Sequence, residues 1–234
     1  MANIFPPNTN RRFYGIAALT ALAAAFALGG IYYVHFCIPE YEPVQPVRFS
    51  HKLHAGDLKM SCTACHSAAQ RSPRAGIPDT KSCLGCHQHI LPDSPLIAPL
   101  REAADPQYPG YTGEPVRWVM VNRLSGHAYF NHMAHLNRGI GCTSCHGDVA
   151  GMERIRAPRD ARMPWCLDCH RDPAPHLRPL EETASSHYSA ADYLRTHSIR
   201  DEEGKRIQTP LQLGNFLKRQ WTIQPKTDCT ACHH

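Results

Sequence analysis

Hydrophobic positions are spread unevenly along this chain. Residues Ile16 to Phe36 read IAALTALAAAFALGGIYYVHF, 21 positions with no Asp, Glu, Lys or Arg. As a helix rising 1.5 Å per residue, such a run is about 31 Å long, enough to cross a bilayer. Downstream, short apolar clusters are broken by many of the 20 prolines and 15 glycines, and no helical or strand period is sustained. Residues 88–117 are dense in proline and glycine and read as a connecting loop. Residues 183–197 suit a helix, and 209–221 (TPLQLGNFLKRQW) suits a better one. There Thr209 is a cap, Pro210 fits the first turn, and Leu213, Phe216, Leu217 and Trp221 form an apolar face.

Charge orients the apolar run. Arg11 and Arg12 stand just before it, residues 1–36 contain no acid, and Glu40 and Glu42 follow. The positive-inside rule then makes residues 1–12 cytoplasmic, 13–37 a transmembrane helix and 38–234 an extracytoplasmic domain on a bacterial cytoplasmic membrane. Tyr32 and Tyr33 fall where an interfacial aromatic belt is expected. Ala25-Phe26-Ala27 resembles a signal-peptide cleavage site, but the apolar run continues nine residues past it, which favours an uncleaved anchor. Cys37 lacks the small preceding residue of a lipid-modified cysteine and reads as an inert interfacial thiol. The net charge of +5 is mild and its basic residues are scattered, so composition makes no case for nucleic acid as a partner.

The chemistry lies in 11 cysteines and 16 histidines. Ten cysteines form pairs, each followed at once by histidine: Cys62/Cys65/His66, Cys83/Cys86/His87, Cys142/Cys145/His146, Cys166/Cys169/His170 and Cys229/Cys232/His233. C-x-x-C-H is the attachment sequence of c-type haem: the thiols add to the porphyrin vinyls and the histidine supplies the proximal imidazole to iron. Structural zinc also uses paired cysteines, but it needs no histidine directly after each pair. Five covalent haems are expected, extracytoplasmic like the domain that carries them. With about 40 residues per haem, the porphyrins serve as the core and the chain wraps them in loops and short helices.

An internal repeat organises the motifs. FSHKLH (49–54) recurs as FNHMAH (130–135), and the motifs at Cys62 and Cys83 recur at Cys142 and Cys166. The expected layout is a dihaem module at 49–90, a second at 130–171, and a C-terminal extension, 172–234, with the fifth haem. The fold class is therefore a mostly irregular and α multihaem cytochrome c, with tandem dihaem modules of class III type and one N-terminal transmembrane helix. His51 and His132 stand about ten residues before a motif, enough chain to round a porphyrin edge and fill the distal position. His54 and His135, one turn on, can ligate a different haem. The fifth distal ligand stays open among Met163, Met152 and His127. His89 and His234 lie too near their own proximal histidines to cross that ring. His176, His187 and His197 read as exposed or propionate-bonding residues.

These features together resemble the pentahaem cytochrome c subunits of alternative complex III, most specifically in WVMVNRLSGHAYFNHMAHLNRGIGCTSCHGDV followed by MPWCLDCHR. The resemblance covers nearly the whole chain and is least diagnostic over 171–228. It implies an electron-conducting subunit of a quinol-oxidising respiratory or photosynthetic complex, without a catalytic site of its own. It also implies partners: an iron–sulfur/molybdopterin-like subunit, a polytopic quinol-binding (often menaquinol) subunit, a mono-haem cytochrome and, indirectly, a periplasmic acceptor. Two other readings are a freestanding membrane-anchored quinol dehydrogenase feeding a periplasmic reductase, and a catalytic multihaem reductase. The first lacks a duplicated F-x-H-x-x-H layout, and the second needs an iron with an open axial position.

Overall fold

The computed structural model describes residues 8–33, 41–157 and 162–233. Cys37, His234 and positions 34–37 of the expected membrane helix lie outside them. The chain divides into two compact units, Met1–Glu40 and Tyr41–His234.

The first unit holds helix α1, Thr9–Tyr32, which starts seven residues before the apolar run at Ile16. Its alanine- and leucine-rich sequence favours helix at nearly every position. None of its residues is buried, and Leu19, Leu22, Phe26, Leu28 and Ile31 are all exposed. At 24 residues it is about 36 Å long, so its length and apolar surface are compatible with a single membrane span.

Among its described residues the second unit forms only short helices. In chain order they are α2 (Cys62–Cys65), α3 (Thr80–His87), α4 (Ala98–Ala104), α5 (His132–Leu136), α6 (Cys142–His146), α7 (Met163–Arg171), α8 (Ala190–Thr196) and α9 (Pro210–Gln220). A wide turn, Lys52–Asp57, precedes α2 and closes with Leu58 N–H donating to Leu53 O at 2.9 Å. Among the described residues there is no β-strand, only isolated bridges at Ala128–His233, Ile140–Leu177 and Arg200–Arg206. Four helices, α2, α3, α6 and α7, carry C-x-x-C-H motifs, and the fifth motif begins in a single tight turn, Cys229–Ala231. The proline- and glycine-rich stretch 88–117 is not wholly loop: Pro99 opens α4, which buries Leu100 against Val47 and Ile97. The helix expected over 183–197 is confined to α8, because Ser189 caps Asp192 N–H and starts it late. Helix α9 meets its expectation. Thr209 and Gln212 form a reciprocal capping box and Pro210 occupies the first turn.

Among the described residues two clusters of buried apolar side chains exist, and the larger is mostly in the extension. Ile140, Leu177, Leu194, Ile207, Leu213, Leu217 and Ile223 pack together, with Leu213 fully buried. The smaller cluster is Val47, Ile97 and Leu100, with Cys83 and Leu84 against it.

The two repeats meet reciprocally. The Lys52–Asp57 turn docks on Val149–Gly151, the segment following α6, with Lys52 N–H donating to Met152 O at 2.8 Å. Conversely, α5 docks on the segment following α2. There His132 N–H and Met133 N–H donate to Pro73 O and Ser72 O at 3.1 and 3.3 Å, and Asn137 Nδ2 donates to Gln70 O at 3.3 Å. A Cβ at Gly56 would collide with the Ala150 carbonyl, so the first docking depends on a residue without a side chain.

Candidate haem-iron sites

Each C-x-x-C-H histidine is held through Nδ1. The Nδ1–H of His66 donates to Gly76 O (2.9 Å), that of His87 to Ile90 O (3.0 Å), that of His170 to Lys226 O (2.7 Å) and that of His233 to His127 O (3.2 Å). His146 Nδ1 instead lies 3.2 Å from the Asn122 side-chain amide, whose oxygen accepts the proton when the amide is turned. A second-shell acceptor on Nδ1 fixes the ring and the tautomer, leaving the Nε2 lone pair for iron.

The F-x-H-x-x-H pairs are held the same way, and nearly alike in both repeats. Phe49 meets His51 edge-on at 4.8 Å and stacks on His54 at 4.4 Å. Phe130 meets His132 edge-on at 4.7 Å and stacks on His135 at 4.6 Å. His54 Nδ1–H donates back to Ser50 O and His135 Nδ1–H to Asn131 O, each at 2.8 Å, while His132 Nδ1–H donates to Pro73 O at 2.9 Å. His51 differs: its Nδ1 is buried and has no hydrogen-bond partner among the described residues. Burial first, then the neighbouring His66, His54 and His146, push its pKa down to about 4, which keeps the ring neutral. Burial also lowers the pKa values of His135 and His146.

The rings face each other in pairs. Centroids are 6.2 Å apart for His54 and His87, 6.5 Å for His132 and His146, and 6.1 Å for His135 and His170. Two imidazoles that each place Nε2 about 2 Å from one iron have centroids about 6 Å apart. The residues of these three pairs therefore fit the axial positions of haem iron. Among the described residues no three His, Cys, Asp or Glu side chains converge as structural zinc would need. The ten motif cysteines are in no disulfide.

The candidates for the fifth distal ligand separate in space. His127 lies 5.5 Å from His233, centroid to centroid, with planes 23° apart. Backbone contacts clamp the two segments together: Ala128 bridges His233, and Tyr129 N–H donates to Cys232 O at 2.7 Å. The His127 Nε2 lies 3.2 Å from Ser125 Oγ, a contact it would exchange for metal. Met163 is 59% exposed at the start of α7, and Met152 is buried at 7% beside the Gly147 backbone. His89 and His176 are exposed; His187 is exposed and within 3.0 Å of Ala55 O, and His197 is exposed and stacks on Tyr193.

Sequence reasoning gave Phe49 and Phe130 no task, although both stood in the repeat. It could not see the backbone acceptors at Gly76, Ile90, Pro73 and Lys226, since a carbonyl carries no residue-type signal. Asn122 is a side chain, but nothing in the pattern singled it out.

Residues 47–95 match the family described as "Cytochrome c7 and related cytochrome c". The chain is also similar to the "Menaquinone reductase, multiheme cytochrome c subunit" of Nitratidesulfovibrio vulgaris (strain Hildenborough), 33% identical over 120 residues. That alignment covers 47% of this chain and 55% of the relative, so the chain spans about half the length of the curated protein it matches.

Proposed function

We propose that this multihaem cytochrome c, with haem c bound covalently, is a five-haem electron wire in a membrane complex that exchanges electrons with the quinone pool. The observation that carries the reading is the pairing of rings. Four proximal histidines have a second histidine ring against them, which gives His87–His54, His146–His132, His170–His135 and His233–His127 as axial pairs, and His51, the counterpart of His132 in the first repeat, completes the set with His66. Of the candidates for the fifth ligand, His127 is thus preferred over Met163 and Met152. With two protein imidazoles on each iron, haems held here would exchange electrons and would offer no open site to a substrate. When bound, the haems supply one-electron redox chemistry. The protein fixes most of these imidazoles through Nδ1 and sets the spacing between rings.

Helix α1 anchors the wire, with Arg11 and Arg12 on the cytoplasmic side and residues from Tyr41 onward outside. Resemblance to alternative complex III supports a quinol-oxidising assembly, with an iron–sulfur/molybdopterin-like subunit, a polytopic quinol-binding subunit and a mono-haem cytochrome as partners. The specific observation that favours a second reading is the relative's own name, a menaquinone reductase subunit, in which electrons run towards the quinone. The wire serves either direction, and the potentials of the partners decide it.

Purification from membranes in mild detergent, followed by mass spectrometry of the associated chains, tests the reading. Recovery with a polytopic quinol-binding subunit is the expected result, and recovery alone or with one soluble reductase would contradict it. Adding menaquinol to the recovered complex separates the directions. Rapid haem reduction fits quinol oxidation. Reduction only by a periplasmic donor, with electrons appearing in the quinone, fits the reverse.

A further inference from the structure

The motifs succeed one another in the sequence, but their positions in the fold follow another order. Cys62 N–H donates to Ala184 O at 3.2 Å and Cys142 N–H donates to Thr183 O at 3.1 Å. Consecutive carbonyls of the extension therefore tether the first turns of α2 and α6 side by side. Arg178 braces this junction. Its Nη2 donates to Thr143 Oγ1 at 2.9 Å and its Nη1 to Ser185 O at 3.3 Å, and a Cβ at Gly141 would collide with the guanidinium.

Reciprocal docking of the repeats points to the same junction independently. The Lys52–Asp57 turn sits on the segment after α6 and α5 sits on the segment after α2, so the first motif of each repeat faces that of the other. Within a repeat, both distal histidines share one turn, which keeps its second haem beside its first. Beyond α7 the chain continues to the last motif, because His170 Nδ1–H donates to Lys226 O, three residues before Cys229.

We propose that the haems, numbered by motif, are ordered 2–1–3–4–5 in space: the Thr183–Ala184 tether and the reciprocal docking join haem 1 to haem 3, and haems 2 and 5 are the ends. This inference rests on the five-haem reading above. Each hop oxidises one ferrous iron and reduces its ferric neighbour, so an electron crosses the first repeat backwards and the second forwards. The motifs Cys83–His87 and Cys229–His233 are then where a donor and an acceptor protein meet the wire.

An iron-edge anomalous difference map from the full-length holoprotein tests the order. Five irons are expected, with haems 2 and 3 as the nearest neighbours of haem 1 and with haems 2 and 5 farthest apart. Five irons with haem 2 between haems 1 and 3, as the sequence order requires, would overturn the inference and leave the five-haem reading intact. Fewer than five irons would overturn that reading and the order with it.

Discussion

The two F-x-H-x-x-H repeats differ little where ligands are set and much where the chain around them is unique. In both, a phenylalanine stacks on the second histidine at about 4.5 Å and meets the first edge-on. In both, the second histidine bonds back to the carbonyl four residues before it. The first histidines part company: His132 donates to Pro73 O, whereas the Nδ1 of His51 is buried without a partner. Their supports differ too. The first repeat leans on Val47, Ile97 and Leu100, while Ile140 of the second joins the apolar cluster of the extension. The repeated residues thus set the histidine rings alike, and the unrepeated ones decide how the modules meet.

That comparison can be broken most forcefully at the junction. Replacing Cys142 and Cys145 together with serine removes one haem attachment from the centre, between α2 and α6. Haem content per chain should fall by one and the yield of folded protein should drop, both readable from the haem spectrum of purified membranes. The matching change at Cys83 and Cys86 should cost one haem with less loss of fold, since α3 lies away from the Thr183–Ala184 tether.

Exchanging a distal histidine for methionine is a gentler cut. His51→Met and His132→Met should each raise one haem potential by on the order of 100 mV, a fraction of the range of about 0.8 V that axial ligands span. A redox titration that shows one component moving up in each variant supports the assignments. An unchanged titration for either would remove that histidine from the ligand set.

Gly56→Ala forces a Cβ into the Ala150 carbonyl and should cost about 1–3 kcal/mol, the usual range for overpacking. Thermal unfolding of the holoprotein reads the loss. An equal loss in Gly85→Ala, whose Cβ meets nothing within 4 Å, would deny the interface any special part. The smallest effect is expected at the aromatic props. Phe49→Leu and Phe130→Leu should each lose about 0.5–1.5 kcal/mol, the value of an aromatic pair beyond its area. Similar losses at both sites would sharpen the likeness of the repeats. A much larger loss at Phe49 would mean that His51, lacking an Nδ1 partner, depends more on its ring neighbour.

Much of this was legible in the residues. Cys-x-x-Cys-His spacing and the doubled F-x-H-x-x-H each carry a chemical requirement in residue type, and Thr209-Pro210 with Gln212 announces α9. The apolar run of α1 was equally plain, though its start at Thr9 was not, because polar residues extend a helix without adding to its apolar pattern. Reciprocal docking was invisible for a different reason: Gln70, Ser72, Pro73 and Met152 take part through carbonyls. The importance of Thr183 and Ala184 was hidden in the same way, inside the stretch least like anything familiar. The nearness of His127 to His233 needed the fold, since 106 residues separate them.

Near-infrared magnetic circular dichroism of the fully oxidised protein tests the central claim most directly, because it distinguishes imidazole–imidazole from imidazole–thioether and from open axial positions. Low-spin ferric haem with two imidazoles is expected at all five irons. A thioether-ligated component would return Met163 or Met152 to the fifth haem, and a high-spin component would contradict the picture of a wire with every axial position filled.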